Sequence, residues 1–313
     1  MKVIFGITNL RQRFPRPVLG LGIFDGLHLG HQRVIQRVIK ASHAIRGTSI
    51  ILTFDPHPLK ILYGKKFFPL LINLRHRLKL FEALKVDICI VVDFNRQFAK
   101  IPAEKFIMQI VNRISPYKII VGEDFTFGNG TKGNIVLLKN MAKDLGFKVE
   151  GVPLLKIGGH TVSSTYIRKL IKKGRLKEAE KFLGRPFSIL ASVLKERGIG
   201  KRLGFPTANL GCHHEIIPPE GVYLVRIILG KNKLPGLCNI GRRPTFFKRK
   251  TGPKRIEAHI LGFNRDIYGQ STEVEFLKKI REEKKFTAKT ALIKEIEKDR
   301  RKAYKYFFPN PTP

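Results

Sequence analysis

Residues 20–31 read GLGIFDGLHLGH, and the architecture of the first half of the chain can be built outward from them. An apolar run ends here in a glycine-rich turn that leads directly into residues with helical spacing. A strand, a turn and a helix start in this order direct backbone N–H groups into one small volume, where anions bind. His28 and His31 flank Gly30, so they are predicted to hold nucleotide phosphates, and Asp25 is predicted to cap the helix. The alternative is a tight turn with two incidental histidines.

The first half of the chain alternates apolar runs with segments of helical periodicity. Because each apolar run is continuous, the runs are typical of strands buried on both faces of a parallel sheet. The pattern therefore predicts an α/β domain with a doubly wound parallel sheet. The predicted strands are 18–24, 48–54, 87–93, 117–122 and 147–152, and the predicted helices lie near 30–45, 73–84, 102–113 and 134–145.

Polar residues follow three of these predicted strands directly. The glycine-histidine turn follows the first, residues 55–58 (DPHP) follow the second, and residues 122–124 (GED) follow the fourth. Ligands of open parallel sheets collect at the carboxyl ends of the strands. The three segments are therefore predicted to share one rim of the sheet.

The pattern changes around residue 184. Residues 187–281 favour short strands between glycine and proline turns, which predicts a small antiparallel β-barrel. Helical spacing returns at 287–306 and predicts a C-terminal helix. The sequence thus predicts two domains, 1–184 and 185–313.

The net charge of +36 arises from 60 lysines and arginines against 24 acidic residues. On composition alone, this charge suggests a nucleic-acid partner. However, the basic residues are spread along the whole chain, as expected for solvated helix faces and polyanionic small substrates. No specific nucleic-acid partner is therefore expected, although a basic RNA-binding protein remains an alternative. The sequence does not indicate an oligomeric state.

Cysteine usage and hydropathy bear on the cellular location. The three cysteines are widely separated and form no CxxC pair, which favours reduced thiols over a disulfide framework. No stretch reaches the roughly 20 apolar residues that a membrane span requires. A cytoplasmic protein without a membrane partner is expected.

Ten short motifs, in order over two domains, resemble those of the prokaryotic bifunctional riboflavin kinase/FAD synthetase family. In the first domain they are GIFDGLHLGH (22–31), TFDPHP (53–58), GEDFTFG (122–128) and SSTYIR (163–168). In the second they are GFPTANL (204–210), GVY (221–223), NIGRRPT (239–245), IEAHIL (256–261), IYG (267–269) and IREEKKF (280–286). The resemblance covers about residues 18–306. It implies an enzyme that phosphorylates riboflavin to FMN and then adenylylates FMN to FAD, with Mg²⁺ and with ATP as co-substrate.

The resemblance implies roles for residues of the first domain, which is similar to HxGH nucleotidyltransferases. His28 and His31 would be catalytic, and the loop after the fourth predicted strand would help to hold the flavin. For SSTYIR, the alternative is a helix cap with an exposed arginine. Phe125 and Phe127 would either stack on the flavin or pin the loop to the core. The implied ATP- and phosphate-binding residues are Gly22, Phe24, Gly30, Ser164, Thr165 and Arg168, and the implied flavin-binding residues are Asp55, His57, Asp124, Phe125 and Phe127.

The resemblance also implies a riboflavin kinase site in the second domain. Glu257 fits the base that deprotonates the riboflavin hydroxyl. Thr207 and Asn209 stand at alternate positions of an extended segment, so both side chains face one way, as a Mg²⁺-ATP site requires. Gly204 and Pro206 would contact ATP, and Arg243 would contact the flavin.

Two positions depart from the family pattern. Ile23 stands where the family often has asparagine, and Arg242 adds a second arginine beside Arg243. The first departure leaves open an alternative function, a riboflavin kinase with weak or no adenylyltransferase activity.

Overall fold

The structure, a computed structural model, describes residues 1–10, 13–64, 69–195, 205–212, 216–242, 254–284, 286 and 288–309. The chain divides into two compact units, Met1–Tyr166 and Ile167–Pro313. This division precedes the predicted boundary at 184/185, because the helix Leu176–Leu183 contacts strands of the second unit.

A six-stranded parallel sheet forms the centre of the first unit, as the sequence predicts. Its spatial order is β1-β4-β3-β2-β5-β6. The strands are β1 (Lys2–Phe5), β2 (Val18–Leu21), β3 (Ser49–Asp55), β4 (Ile88–Asp93), β5 (Lys118–Gly122) and β6 (Lys148–Val152). The sequence pattern does not predict β1, a short edge strand that pairs with β4. A small hairpin follows, with β7 (Lys156–Ile157) and β8 (His160–Thr161).

Helices cover both faces of this sheet. They are α1 (Leu29–Ala44), α2 (Pro58–Tyr63), α3 (Leu74–Ala83), α4 (Ala103–Ile114) and α5 (Ile135–Leu145), with short 3-10 turns at Ile7–Asn9, Phe98–Lys100 and Asn129–Thr131. Ile35 and Phe81 belong to the core on one face, and Ile107 and Leu138 belong to the core on the other. The predicted doubly wound α/β architecture is therefore confirmed.

The strand order identifies the place where a ligand is expected. β2 lies between β3 and β5, and all three strands run parallel. The chain therefore leaves β2 at the point where the connections diverge to the two sides of the sheet. In open α/β sheets this switch point forms the ligand crevice.

The second unit is a closed antiparallel barrel with a C-terminal helix, which confirms the prediction. The barrel order is β10-β13-β12-β11-β14-β9. Its strands are β9 (Phe187–Leu194), β10 (Ala208–Cys212), β11 (Gly221–Leu229), β12 (Asn232–Arg242), β13 (Lys254–Ile260) and β14 (Ser271–Arg281). The helices are α6 (Ser164–Lys172), which begins in the first unit, α7 (Leu176–Leu183) and α8 (Lys289–Phe307). Ala303 and Phe307 of α8 pack in a cluster with Val222, Leu224 and Leu237 of the barrel.

Two further observations concern the cysteines and hydropathy. Cys89 and Cys238 are buried free thiols. Among the described residues, no helix has the length and apolar character needed to cross a membrane.

Candidate active sites

The turn after β2 contains backbone φ angles that non-glycine residues seldom adopt. Phe24 and Leu27 have positive φ angles of 56° and 42°, and both side chains are buried. A non-glycine residue in this region costs about 1–3 kcal/mol, which burial of the side chains offsets. Gly26 has φ 82°, and a Cβ there would lie 2.5 Å from Leu71 Cδ1. The turn is therefore held in one shape by its packing.

Asp25 anchors this turn to a neighbouring segment. Its buried carboxylate accepts hydrogen bonds from the backbone N–H of Leu71 at 3.0 Å and of Ile72 at 3.2 Å. The prediction that Asp25 caps the helix is therefore wrong. The carboxylate satisfies two buried donors from a segment that is distant in sequence.

His28 caps α1. Its Nδ1 atom accepts a hydrogen bond from the backbone N–H of His31 at 3.3 Å, and the side chain is buried. When Nδ1 of a neutral imidazole accepts, the ring proton resides on Nε2. The cap thus makes Nε2 of His28 a donor at the helix N-terminus.

The two histidine rings are stacked. Their centroids are 3.5 Å apart with an interplanar angle of 18°, and the Phe24 ring meets His31 edge-on at 5.4 Å. A Cβ at position 30 would lie 3.2 Å from the His28 ring. Gly30 therefore gives the His28 ring room beside the helix start, and the structure brings all three residues of the motif together.

The start of α6 lies against the same turn. Ser164 Oγ donates a hydrogen bond to the backbone carbonyl of Asp25 at 2.7 Å. Ser163 Oγ accepts from the backbone N–H of Tyr166 at 3.3 Å, which is the capping geometry. Thr165 is exposed, whereas Arg168 is buried one turn later on the same helix. The alternative of a cap with an exposed arginine is thus correct for the cap and wrong for the arginine.

Arg77 of α3 also contacts this turn, which the sequence does not predict. Its Nη1 donates to the carbonyl of Ile23 at 2.7 Å, and its Nη2 donates to the carbonyl of Phe54 at 2.8 Å. Nη2 also lies 3.5 Å from the Asp55 carboxylate. Burial lowers the pKa of the Arg77 guanidinium, while the carboxylates of Asp55 and Asp25 oppose the shift. One buried cation thus ties together the ends of β2 and β3.

We expect Arg77→Met to lower the free energy of unfolding of the first unit by about 2–4 kcal/mol, because two buried carbonyls lose their charged donor. Equilibrium denaturation of the full chain measures the change. Arg75→Met is the matched control, since Arg75 is an exposed arginine of the same helix and its loss should change stability by about 0.5 kcal/mol or less. Equal stability of the two variants would contradict the anchoring role.

His57 and Asp55 lie at the carboxyl end of β3. His57 is buried and caps α2, since its Nδ1 accepts from the backbone N–H of Leu59 at 3.1 Å. The Asp55 side chain is more exposed, at 38%. The three segments predicted to share a rim follow β2, β3 and β5, which are neighbouring parallel strands. The parallel order confirms the common rim.

The loop after β5 contains the two phenylalanines of the flavin prediction. Phe127 is buried in the core, and its backbone pairs with Gly133 in both directions. Phe125 is half-buried, and its ring stacks on Phe127 at 5.7 Å. Asp124 is exposed. The packing favours the pinning alternative for Phe127 and leaves the Phe125 face as the flavin candidate.

Gly22 completes the predicted phosphate set of the first unit. A Cβ at this position would lie 2.8 Å from the ring of Phe24. Only glycine leaves space for that ring, which itself packs edge-on against Phe81. Gly22 and Phe24 thus shape the turn that presents the histidines.

In the second unit, Asn209 and Glu257 are brought together as the sequence predicts. They are direct partners across the antiparallel pair β10 and β13, so their side chains share a face. Asn209 is buried, and Glu257 is half-buried. Thr207 stands two residues before Asn209 on the same extended segment and is also half-buried.

Arg255 contacts both residues of this pair, which the sequence motifs do not predict. Its Nε atom donates to Asn209 Oδ1 at 2.8 Å and lies 2.9 Å from Glu257 Oε1. Arg255 and Glu257 are two residues apart on β13, and this spacing places both side chains on one face. The alternation was visible in the sequence, but the approach of Asn209 depends on the strand pairing.

The segment that leads into Asn209 is fixed to the barrel and to α8. The Pro206 carbonyl is 2.8 Å from His259 Nδ1, and the buried Phe205 ring meets the His259 ring edge-on. The Arg300 guanidinium of α8 lies 5.6 Å from the centroid of the Phe205 ring. Gly204 and Arg243, predicted to contact ATP and flavin, lie outside the described residues. Within those residues, no group of three or more His, Cys, Asp or Glu side chains is placed to bind a metal.

Comparisons with known proteins match this division into two units. Residues 11–166 match the FAD synthetase family model, and residues 183–307 match the riboflavin kinase family model. The bifunctional riboflavin kinase/FMN adenylyltransferase of Buchnera aphidicola subsp. Schizaphis graminum is 38% identical over 98% of this chain and 99% of its own length. The Escherichia coli K12 protein of the same name is 34% identical over 98% of each chain.

A solved structure is similar to the chain over nearly its whole length. It is a crystal structure titled a macrolide-efflux protein from Streptococcus pneumoniae, with a TM-score of 0.85 and 29% identity. It covers 96% of this chain and 98% of its own. The resemblance found in the sequence motifs is confirmed by the two family models and by the full-length relatives. The chain belongs to the bifunctional riboflavin kinase/FMN adenylyltransferase family and carries both enzyme activities, each with its own domain.

Proposed function

We propose that the two activities use two separate sets of residues, one before and one after the boundary at 184/185. Adenylylation of FMN takes place at the turn after β2, and phosphorylation of riboflavin takes place on the barrel face around Asn209 and Glu257. The observation that supports the proposal is that His28, His31 and Ser164 meet at the turn after β2, whereas Asn209 and Glu257 pair on the barrel. For function, we keep the boundary between the activities at 184/185.

In the adenylylation reaction, a phosphate oxygen of FMN attacks the α-phosphorus of ATP and pyrophosphate leaves. Catalysis of this kind consists mostly of positioning and of neutralising the charge on the phosphate oxygens. Nε2–H of His28, set by the Nδ1 cap, donates to the phosphates at the start of α1. His31 and Gly30 act with it, and Ser164, Thr165 and Arg168 contribute from α6. Arg168 offers a planar fork that suits the leaving pyrophosphate.

Flavin binding in the first unit rests on the neighbouring segments of the rim. Asp55 and His57 lie at the end of β3, adjacent to the turn. Asp124 and the exposed part of the Phe125 ring lie after β5. We assign these residues to FMN, while Phe127 supports the loop from the core.

In the kinase reaction, Glu257 accepts the proton of the riboflavin 5′-hydroxyl. The alcohol oxygen attacks the γ-phosphorus of ATP, and ADP leaves. An alcohol is a poor nucleophile at neutral pH, so a base within hydrogen-bonding reach lowers the barrier. Gly204 and Pro206 are assigned to ATP, and Arg243 to the flavin.

Mg²⁺ fits the donor set of the barrel site. The oxygens of Asn209 and Glu257 are both directed at one cation, the Arg255 guanidinium. Amide and hydroxyl oxygens are hard ligands, and Mg²⁺ usually takes few protein ligands together with substrate phosphates and water. Thr207 and Asn209 would hold the ion, which would neutralise the phosphates of ATP when bound. A cytoplasmic location and the absence of a specific nucleic-acid partner complete the proposal.

A turnover assay tests the proposal. The purified protein is incubated with ATP, Mg²⁺ and either riboflavin or FMN, and the flavins are separated by chromatography. We expect FMN and FAD from riboflavin, and FAD from FMN. Accumulation of FMN without FAD would instead favour the kinase-only alternative raised by Ile23. Absence of any turnover, with binding to RNA that weakens steeply with salt, would favour the RNA-binding alternative.

A further inference from the structure

We propose that the Arg255 guanidinium orients the side chains of Asn209 and Glu257 when no metal is bound. It is displaced when the metal-bound nucleotide binds. The proposal rests on the assignment of Asn209 and Glu257 to the kinase site. It gives this reaction a positioning residue that neither the motifs nor the site assignments above include.

The contacts of Arg255 are with the proposed site residues themselves. Its single Nε–H lies between two oxygens, Asn209 Oδ1 at 2.8 Å and Glu257 Oε1 at 2.9 Å. Asn209 is buried, and the oxygen of a buried amide needs a donor. Arg255 supplies that donor and balances the Glu257 charge at the same time.

A purely structural ion pair explains this arrangement less well. The side chains of Arg255 and Glu257 are 31% and 27% exposed, and ion pairs with solvent access contribute only about 0–1 kcal/mol. The barrel already has its hydrogen-bonded ladder at this point, since Asn209 pairs with Glu257 across the strands. The main effect of the Arg255 contact is thus to orient the side chains of Asn209 and Glu257, and its contribution to the stability of the barrel is small.

The guanidinium and a divalent cation exclude each other at these oxygens. Both are positive and both would use the Asn209 oxygen, so they compete for that ligand and repel each other. The contact of Arg255 with Glu257 is at Oε1, so the second carboxylate oxygen can still accept the proton of the alcohol. Displacement of Arg255 therefore frees the Asn209 oxygen for the metal.

The experiment measures Mn²⁺ binding to the full-length protein by electron paramagnetic resonance of the free ion, at a fixed saturating ADP concentration. Arg255→Gln is compared with Arg226→Gln, a matched control. Arg226 is also a barrel arginine, and its Nη1 pairs with Glu275 on a neighbouring strand at 2.8 Å. The adenylylation unit contributes the same background to each variant. Asn209→Ala identifies the Mn²⁺ component that belongs to the barrel site.

We expect Arg255→Gln to lower the dissociation constant of that component by about three- to tenfold, since it removes a competing cation. Arg226→Gln should leave it unchanged. Unchanged or weaker Mn²⁺ binding in Arg255→Gln would overturn the proposal, the latter because it would make Arg255 a nucleotide ligand. If Asn209→Ala removes no Mn²⁺ component, the metal assignment itself fails, which is a separate outcome.

Arg255→Lys serves as a second variant in case the glutamine variant does not fold. A lysine keeps one cation on β13 but loses the Nε–H that lies between the two oxygens. We expect it to bind Mn²⁺ less tightly than Arg255→Gln and more tightly than the parent protein. The same Mn²⁺ affinity as in the parent protein would count against a role for the Nε–H contact with the two oxygens, on which the proposal depends.

Discussion

Replacement of Glu257 by glutamine is expected to lower the rate of riboflavin phosphorylation by about 10²–10⁴-fold, the usual contribution of a general base. Glutamine has the same shape and keeps an oxygen that accepts from Arg255, so the barrel face should remain intact. It cannot take the proton of the riboflavin alcohol. FMN adenylylation should stay unchanged, because the residues proposed for it precede the boundary at 184/185 and lie outside the barrel. Separate assays with riboflavin and with FMN measure the two rates.

Glu275→Gln provides the control for this result. Glu275 is also a strand glutamate of the barrel that is paired with an arginine, Arg226. Its replacement removes the same charge from the same unit without touching the proposed site. Equal losses in both glutamine variants, or equal losses of both activities in Glu257→Gln, would refute the assignment of the base.

Replacement of His28 by asparagine is expected to lower the rate of FAD formation by about 10²–10³-fold, as for the loss of one donor to a developing phosphate charge. Asparagine is a good N-cap residue, so its side chain can still accept from the backbone N–H of His31. The donor at Nε2 is lost. Riboflavin phosphorylation should continue, and it is measured on the same preparation.

His28→Ala separates the two roles of this histidine, the cap of α1 and the proposed phosphate contact. It should lose the same activity and, in addition, about 1 kcal/mol of stability, because the cap of α1 is also lost. The double replacement of His28 and His31 by alanine should remove adenylylation with the kinase intact. If FAD formation survives in the double variant, the phosphate-holding role of the pair is wrong.

Much of the fold follows from the sequence, because its signals are local. Strands β2 to β5 contain continuous apolar runs, and the glycine-histidine motif marks a strand, a turn and a helix within a dozen residues. The edge strand β1 has four residues and half-exposed positions, so its apolar pattern is too short to stand out. The pairing of β1 with β4 is a long-range choice that no local pattern contains.

The candidate sites divide in the same way. Motif residues such as His28 and Glu257 could be named from the sequence, because their chemistry is carried by residue type and spacing. The roles of Asp25 and Arg77 could not be predicted, since each depends on hydrogen-bond partners about 20 to 50 residues away in the sequence. Arginines such as Arg77 and Arg255 also look like ordinary surface charges in a chain with 60 basic residues. Burial distinguishes Arg77 from a surface arginine, and the strand pairing beside Asn209 distinguishes Arg255.

The register between β10 and β13 has a consequence for how the barrel acquires activity. Ala208 stands opposite Ala258, and Asn209 stands opposite Glu257, although these residues are far apart in the chain. A slip of one residue would turn Asn209 toward the barrel interior and separate it from the carboxylate. At the kinase site proposed above, phosphoryl transfer therefore requires that these two strands have paired in the correct register. A nucleotide that binds residues of both strands would favour the paired state by mass action, and so would stabilise its own binding site.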